Sequence, residues 1–276
     1  MKTINEDKIT FPTGKQHISY SEVKIWTECP WKHKLLYIDK VGTFETNENL
    51  SFGTTLHTEC ESYLKTKTFS LERMRGSIDR VWDTHNLQNK EQWKKEGAAI
   101  LDDMPKFLDE TFPNWSCIKA EYPLFEAIEN SDIKFKGFVD GLIKAKNKRG
   151  NDVLWVVDWK TCGPRGWAAD KKQDPLVQAQ IVLYKSYISE KFSIDPKDIK
   201  CGFVLLKRGV KPGKSCELVE ISAGPKTLEK SNKLVSSMIS GVKSGTCIKN
   251  RMSCTYCEFK ETKHCPGSST FKPFTA

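Results

Sequence analysis

Two charged residues close an apolar run in "VLWVVDWKTCG", residues 153–163. Asp158 and Lys160 stand two apart, so on a strand they share one face and Trp159 takes the other. Charge is costly to desolvate, and its place at the end of a buried strand calls for a partner. Asp140 lies in the preceding apolar segment, and the turn sequence "KNKRGND" is centred on residue 149, midway between the two aspartates. A symmetric hairpin about that turn sets Asp140 beside Asp158 on adjacent strands. Two carboxylates that close repel each other unless a cation sits between them. Mg2+ or Mn2+ with oxygen ligands meets that need, and Lys160 completes a site for an anionic substrate. His57 can add a nitrogen ligand and Glu121 another carboxylate. Gln180 and Tyr184, four apart on a helix, share a face that can look onto the same sheet. Such a group can activate water against a phosphodiester, with Lys160 steadying the attacking hydroxide or the charge developing on the phosphate. Taken singly these residues are ordinary, an ion pair at a strand end and a structural histidine. The case rests on the set.

A second set is built on sulfur. Of the chain's 10 cysteines, six are scattered, and a small buried hydrophobe is the default role of each. Cys254, Cys257 and Cys265 instead cluster in "CTYCEFKETKHCPG". Without a secretory signal a disulfide framework is not expected, so the cluster reads as a metal site, with His264 or Cys247 as substitute ligands.

The elements that must carry these residues follow from pattern. Residues 18–40 read as a helix begun at Ser19 or Ser21 and kinked or divided at Pro30. A helix over 51–65 puts Gly53, His57 and Glu61 on one face. Amphipathic helices over 70–86 and 90–111 read as an insert. The period then becomes strand-like over 119–128, 133–145 and 152–161. A helix over 174–191 with Pro175 in its first turn, strands over 199–209 and 216–222, and a helix over 224–243 complete the order. This implies an α/β fold with a mixed central sheet flanked by helices. The expected organisation is an N-terminal helical segment (1–50), a helical region (51–115), a core (116–222) and a C-terminal helix with the cysteine segment (223–276).

The ordered array "GTTLH", "GFVDG", "VVDWKT" and "QAQIVLY" resembles the RecB-like branch of the PD-(D/E)xK nuclease superfamily, over roughly residues 18–265. The resemblance implies a restriction-endonuclease-like core in which Asp140, Asp158, Lys160, Gln180 and Tyr184 are catalytic. It implies that His57, Asp140 and Asp158 hold Mg2+ or Mn2+, with Glu121 as the family's glutamate. The segment "YSEVKIWTECPWKHKLLY" is similar to the N-terminal S-x6-C-P-x5-Y stretch of that family's iron–sulfur branch. There Cys29 would join Cys254, Cys257 and Cys265 to hold a [4Fe-4S] cluster. Four thiolates also suit zinc. Closing a loop of roughly 225 residues costs about 5 kcal/mol plus a constant, which a cluster bound only by the folded chain would offset. The branch includes CRISPR-adaptation and phage exonucleases, so the implied activity is a metal-dependent DNA nuclease, an exonuclease before an endonuclease. The implied setting is recombination, repair or replication, beside a helicase or recombination partner. A nuclease fold that binds nucleic acid without cutting it is the alternative.

Composition agrees with a soluble nucleic-acid enzyme. Of the 276 residues 44 are basic and 35 acidic, and the net charge of +9 favours a polyanionic partner. Arg165 and Trp167 in "CGPRGW", with Lys171 and Lys172, are candidates for DNA contact, the indole stacking on a base. No apolar run is long enough to span a membrane, so no membrane partner is expected. The opening "MKTINEDKITF" is too acidic for a signal peptide, and a cytoplasmic protein is expected, in the host cell if phage-encoded. Without a G-x-x-x-x-G-K-[ST] sequence the chain is no helicase motor.

Overall fold

The structure is a computed structural model that describes residues 11–42 and 46–267. The acidic opening sequence, up to Thr10, lies outside them. The elements run β1 (His17–Ser19), α1 (Tyr20–Glu28), α2 (Pro30–His33) with a π-helical turn at Lys34–Ile38, then α3 (Glu48–Thr66), α4 (Leu71–His85) and α5 (Lys90–Thr111). Next come β2 (Ser116–Ala127), β3 (Lys134–Lys146), β4 (Asp152–Cys162), α6 (Ala169–Gln173), α7 (Pro175–Phe192), β5 (Ile199–Lys207), β6 (Cys216–Ile221) and α8 (Pro225–Lys243). The described residues fall into two compact units, each assembled from separate stretches. Of the described residues, the first draws on 11–42, Phe125–Lys136 and 232–267, the second on 46–124 and Gly137–Ser231.

Local chemistry sets the helix boundaries. Ser19 accepts a hydrogen bond from the Glu22 amide and caps α1. That helix stops at Cys29, which is extended (φ −161°, ψ 105°) because it precedes Pro30. Asn47 caps α3 through the Leu50 amide, and Asp174 caps α7 through the Leu176 amide with Pro175 in the first turn. In the first unit β1 runs parallel to the start of β3, His17 opposite Lys134. This three-residue strand was absent from the sequence pattern, since so short a parallel pairing leaves no periodicity to read.

In the second unit β3 and β4 are antiparallel, β4 and β5 parallel, and β5 and β6 antiparallel, with β2 beside β3. The register Gly141↔Val157 through Lys146↔Asp152 is that of a hairpin centred on residue 149. Val153, Trp155, Val157 and Trp159 of β4 face a core shared with Phe52, Leu56, Met74, Ile78, Ile100, Leu101 and Met104 from α3, α4 and α5. The two helices read as an insert are therefore part of this core. Fully burying one such side chain stabilises by about 1.5–3 kcal/mol, enough to hold three helices on one sheet face. The opposite face, with Val156 and Asp158, meets α7. Burial on both sides is why β4 reads as a continuous apolar run.

A Cβ on Gly202 of β5 would lie 2.7 Å from the Val219 carbonyl oxygen on β6, a backbone atom that cannot swing aside. Gly202→Ala is expected to destabilise the protein by about 1–3 kcal/mol, read as a lower midpoint of urea unfolding.

Candidate active site

The β3–β4 ladder ends at Gly141↔Val157, and the next residues along it are Asp140 and Asp158, both buried. Beyond that point β4 keeps pairing with β5 as far as Cys162↔Lys207. The side of β4 toward β3 is thus free of ladder bonds where the aspartates stand. The Trp159 amide donates to Asp140 Oδ2 at 2.7 Å. Gln180 Nε2 donates to Asp158 Oδ1 at 2.9 Å, and Lys160 Nζ lies 2.7 Å from Asp158 Oδ2. His57 Nδ1 sits 3.5 Å from Asp140 Oδ2. The same Gln180 nitrogen reaches the Tyr184 hydroxyl at 3.4 Å, so the two α7 residues look onto Asp158 together.

One ligand atom each from His57, Glu121 and Asp140 lie within 4.8 Å of one another. All seven residues singled out from the sequence around the aspartates therefore meet in the second unit. Sequence pattern did not reveal how Glu121 gets there. It sits within β2 at φ +50°, in the left-handed region. That conformation costs a non-glycine residue about 1–2 kcal/mol, and such strain is characteristic of positions held for a purpose. Strand β3 is irregular too. A Cβ on Gly137 would meet the Tyr184 ring at 2.8 Å, and one on Gly141 would meet Leu64 of α3 at 2.9 Å. Residues four apart on a regular strand face one side, so the pleat is interrupted between them, in the stretch that carries Asp140. Both glycines allow close approach, the first of the Tyr184 ring and the second of α3.

The electrostatics fit a cation. Burial, then the Asp158 carboxylate, push Asp140 well above its ordinary range. Burial, then Glu61, also raise Glu121. Burial lowers His57 against the opposing pull of Asp158, which keeps the imidazole in the neutral form a metal requires. Burial works to lower Lys160, but Asp158 outweighs it and the ammonium is stabilised. Burial and Asp158 raise Tyr184, so its phenol stays protonated. A neutral imidazole with close, charge-frustrated carboxylates is a donor set for Mg2+ or Mn2+.

The candidates for nucleic-acid contact fare differently. Trp167 is buried, its ring 5.0 Å from Phe203, with Lys171 Nζ 4.7 Å from its centre. It is a core residue, not a stacking platform, because a ring that stacks on a base needs an open face. Lys172 is paired with Glu217 at 2.7 Å, whereas Arg165 is exposed.

The first unit gathers four of the cysteines. Cys29, Cys254, Cys257 and Cys265 line one cavity together with Trp31, Leu35 and Phe259, and all four are free thiols. Cys247 and His264 are not among its lining residues. The extended turn at Cys29 is tied down by the C-terminal segment. The Asn250 amide donates to Cys29 Sγ at 3.4 Å, and Asn250 Nδ2 and Ser253 Oγ both donate to the Glu28 carbonyl at 2.8 Å.

Residues 17–264 match the family model for the PD-(D/E)XK nuclease superfamily, and the chain belongs to that superfamily. Its fold is that of a nuclease with a mixed sheet flanked by helices. The crystal structure of "Putative exonuclease" from Eubacterium rectale resembles it with a TM-score of 0.53, over 94% of this chain and 92% of that one, at 13% identity. At that identity the likeness speaks for the fold. A structure named SSO0001 is 17% identical, covering 75% of this chain and 92% of its own, with a TM-score of 0.34. No curated protein matches the chain in sequence. Among the described residues, no helix is long and apolar enough to cross a membrane.

A carboxylate whose pKa is raised by folding contributes its stability at low pH and loses it as pH climbs from the ordinary value of 3.8 through the raised one. In EDTA the protein should therefore become less stable across that range. Asp140→Asn should flatten the slope and stabilise the metal-free protein at neutral pH by about 1 kcal/mol or more. Urea unfolding at a series of pH values measures both.

Proposed function

We propose that the chain is a divalent-metal-dependent deoxyribonuclease, an exonuclease acting on DNA in recombination, repair or replication. The observation that carries this reading is the convergence of His57, Glu121 and Asp140 beside the Asp158–Lys160 pair. His57, Asp140 and Asp158 would hold Mg2+ or Mn2+, with Glu121 as a further ligand. When bound, the ion supplies Lewis acidity and a water of lowered pKa. Lys160 keeps its charge at neutral pH and can offset the negative charge that develops on the scissile phosphate. Gln180 fixes one oxygen of Asp158 so that the other faces Lys160, and Tyr184 buttresses that glutamine. The printed name of the Eubacterium rectale protein supports the exonuclease mode over an endonuclease.

The cysteine cavity is proposed to hold a [4Fe-4S] cluster in a structural role, since hydrolysis moves no electrons. Four thiolates around such a cluster leave net negative charge, and Lys32, Lys249, Arg251 and Lys260 line the same cavity. Zinc is the other metal these ligands suit.

Incubation with end-labelled linear and closed circular DNA in Mn2+, Mg2+ or EDTA tests the activity. Linear DNA alone should be degraded, and only with metal. Cleavage of circles would instead make it an endonuclease, and no cleavage with any metal would defeat the proposal. Lys160→Ala and Asp158→Ala should each lower the rate by about a hundredfold or more and leave DNA binding intact. Protein purified without oxygen should absorb near ~400 nm, and Cys257→Ser should lose that band and some stability. A colourless wild type containing zinc would replace the cluster by that metal.

A further inference from the structure

Beside the candidate active site, within the second unit, lies an open cleft of about 530 Å³ between the C-terminal end of α3 and the first half of β2. Lys65, Lys67 and Lys119 line it with Trp115, Cys117 and Ile118. Its two walls are elements that also carry the site. Lys65 lies eight residues beyond His57 on α3, about 12 Å along the helix axis. Lys119 lies two residues before Glu121 on β2. Between them Glu61, one turn beyond His57, is ion-paired with Lys65.

Several lysines of the second unit are paired: Lys144 and Lys146 with Asp152, Lys172 and Lys207 with Glu217, Lys90 and Lys94 with Asp79, and in the cleft itself Lys65 with Glu61. Among the described residues neither Lys67 nor Lys119 has a carboxylate within ion-pair distance. The nearby Asp109 accepts from Trp115 Nε1 instead, at 2.8 Å. Lys67 holds its ammonium over the Trp115 ring, at the cleft wall.

The geometry points to this cleft as the track for a single strand of nucleic acid whose next phosphates are held while one lies at the active site. This rests on the nuclease reading above. Uncompensated ammonium groups in a concave site are a binding site for anions, and continuity with the metal ligands selects a phosphodiester chain over a free anion. The volume takes a nucleotide or two of one strand and is too small for a duplex. Lys67 covers the indole, so contacts fall on phosphates rather than on bases, and binding carries little sequence preference.

The test is anisotropy of a fluorescein-labelled single-stranded oligodeoxynucleotide with the full chain in EDTA, over a salt series. K67A/K119A should weaken binding by about tenfold at low salt. Two lost phosphate contacts at about 0.7 each should reduce the slope of log K against log salt by about 1.4. K148A/R149A, in the turn at the far end of the β3–β4 hairpin, should change neither. Hydrolysis of bis(p-nitrophenyl) phosphate, too small to reach the cleft, should be unchanged in K67A/K119A. Unaltered affinity and slope would overturn the proposal, as would an equal loss in the control pair or a loss confined to duplex DNA. Wild type that hydrolyses no phosphodiester would defeat the nuclease reading, and the binding series would still decide the cleft.

Discussion

The repulsion between two buried carboxylates organises the second unit. Asp140 and Asp158 occupy the first positions past the end of the β3–β4 ladder, where both faces of β4 are covered and little water is left to screen them. At low dielectric such a contact is far stronger than at a surface. The surrounding groups each answer part of it. A backbone amide donates to Asp140, an amide side chain and an ammonium meet Asp158, and a neutral imidazole waits beside Asp140. These partners hold the two groups in place without cancelling the charge. What is left over is a preference for a cation.

That preference explains the irregular backbone. A regular sheet would turn Glu121 and Asp140 along their own pleats, and one carboxylate or the other would miss the site. Instead β2 adopts a left-handed residue at Glu121, and β3 interrupts its alternation between two glycines that flank Asp140 and let a tyrosine ring and a helix close in. Each departure opposes local preference, and each falls in a stretch that carries a carboxylate of the site. The apolar core on the α3–α5 face is the reservoir that sustains the strain.

Much of this was legible in the sequence because it was local. Helix starts at Ser19 and Asp174 follow from side chains that cap their own helices, whereas the helix expected from residue 51 begins at Glu48, behind the Asn47 cap. The hairpin register follows from a turn symmetric about residue 149. The meeting of Asp140 and Asp158 needed nothing else. What escaped depended on distant partners. Strand β1 is three residues long and exists through its pairing with β3. Helices α4 and α5 carry the same amphipathic pattern whether they form an insert or a core wall, and only their neighbours decide. Trp167, among Gly, Pro and Arg, has the local signal of an exposed aromatic, yet Phe203 lies far along the chain and claims its ring. The φ of Glu121 leaves no trace in composition, because glutamate is not a residue that a turn signal selects.

The two donor sets are also kept apart by chemistry. Hard oxygen and imidazole donors collect in the second unit, and the four cavity thiols in the first. Thiolates would compete for borderline metals and would bind an intruding soft ion at the catalytic centre. The second unit has five cysteines of its own, Cys60, Cys117, Cys162, Cys201 and Cys216. Burial raises every one of them, Cys201 and Cys216 to about 12, so they stay protonated and are poor ligands at neutral pH. The same apolar packing that holds the helices on the sheet therefore silences the sulfur nearest the carboxylates. In a chain carrying ten cysteines, burial thus keeps these five from competing with the carboxylates for a hard cation.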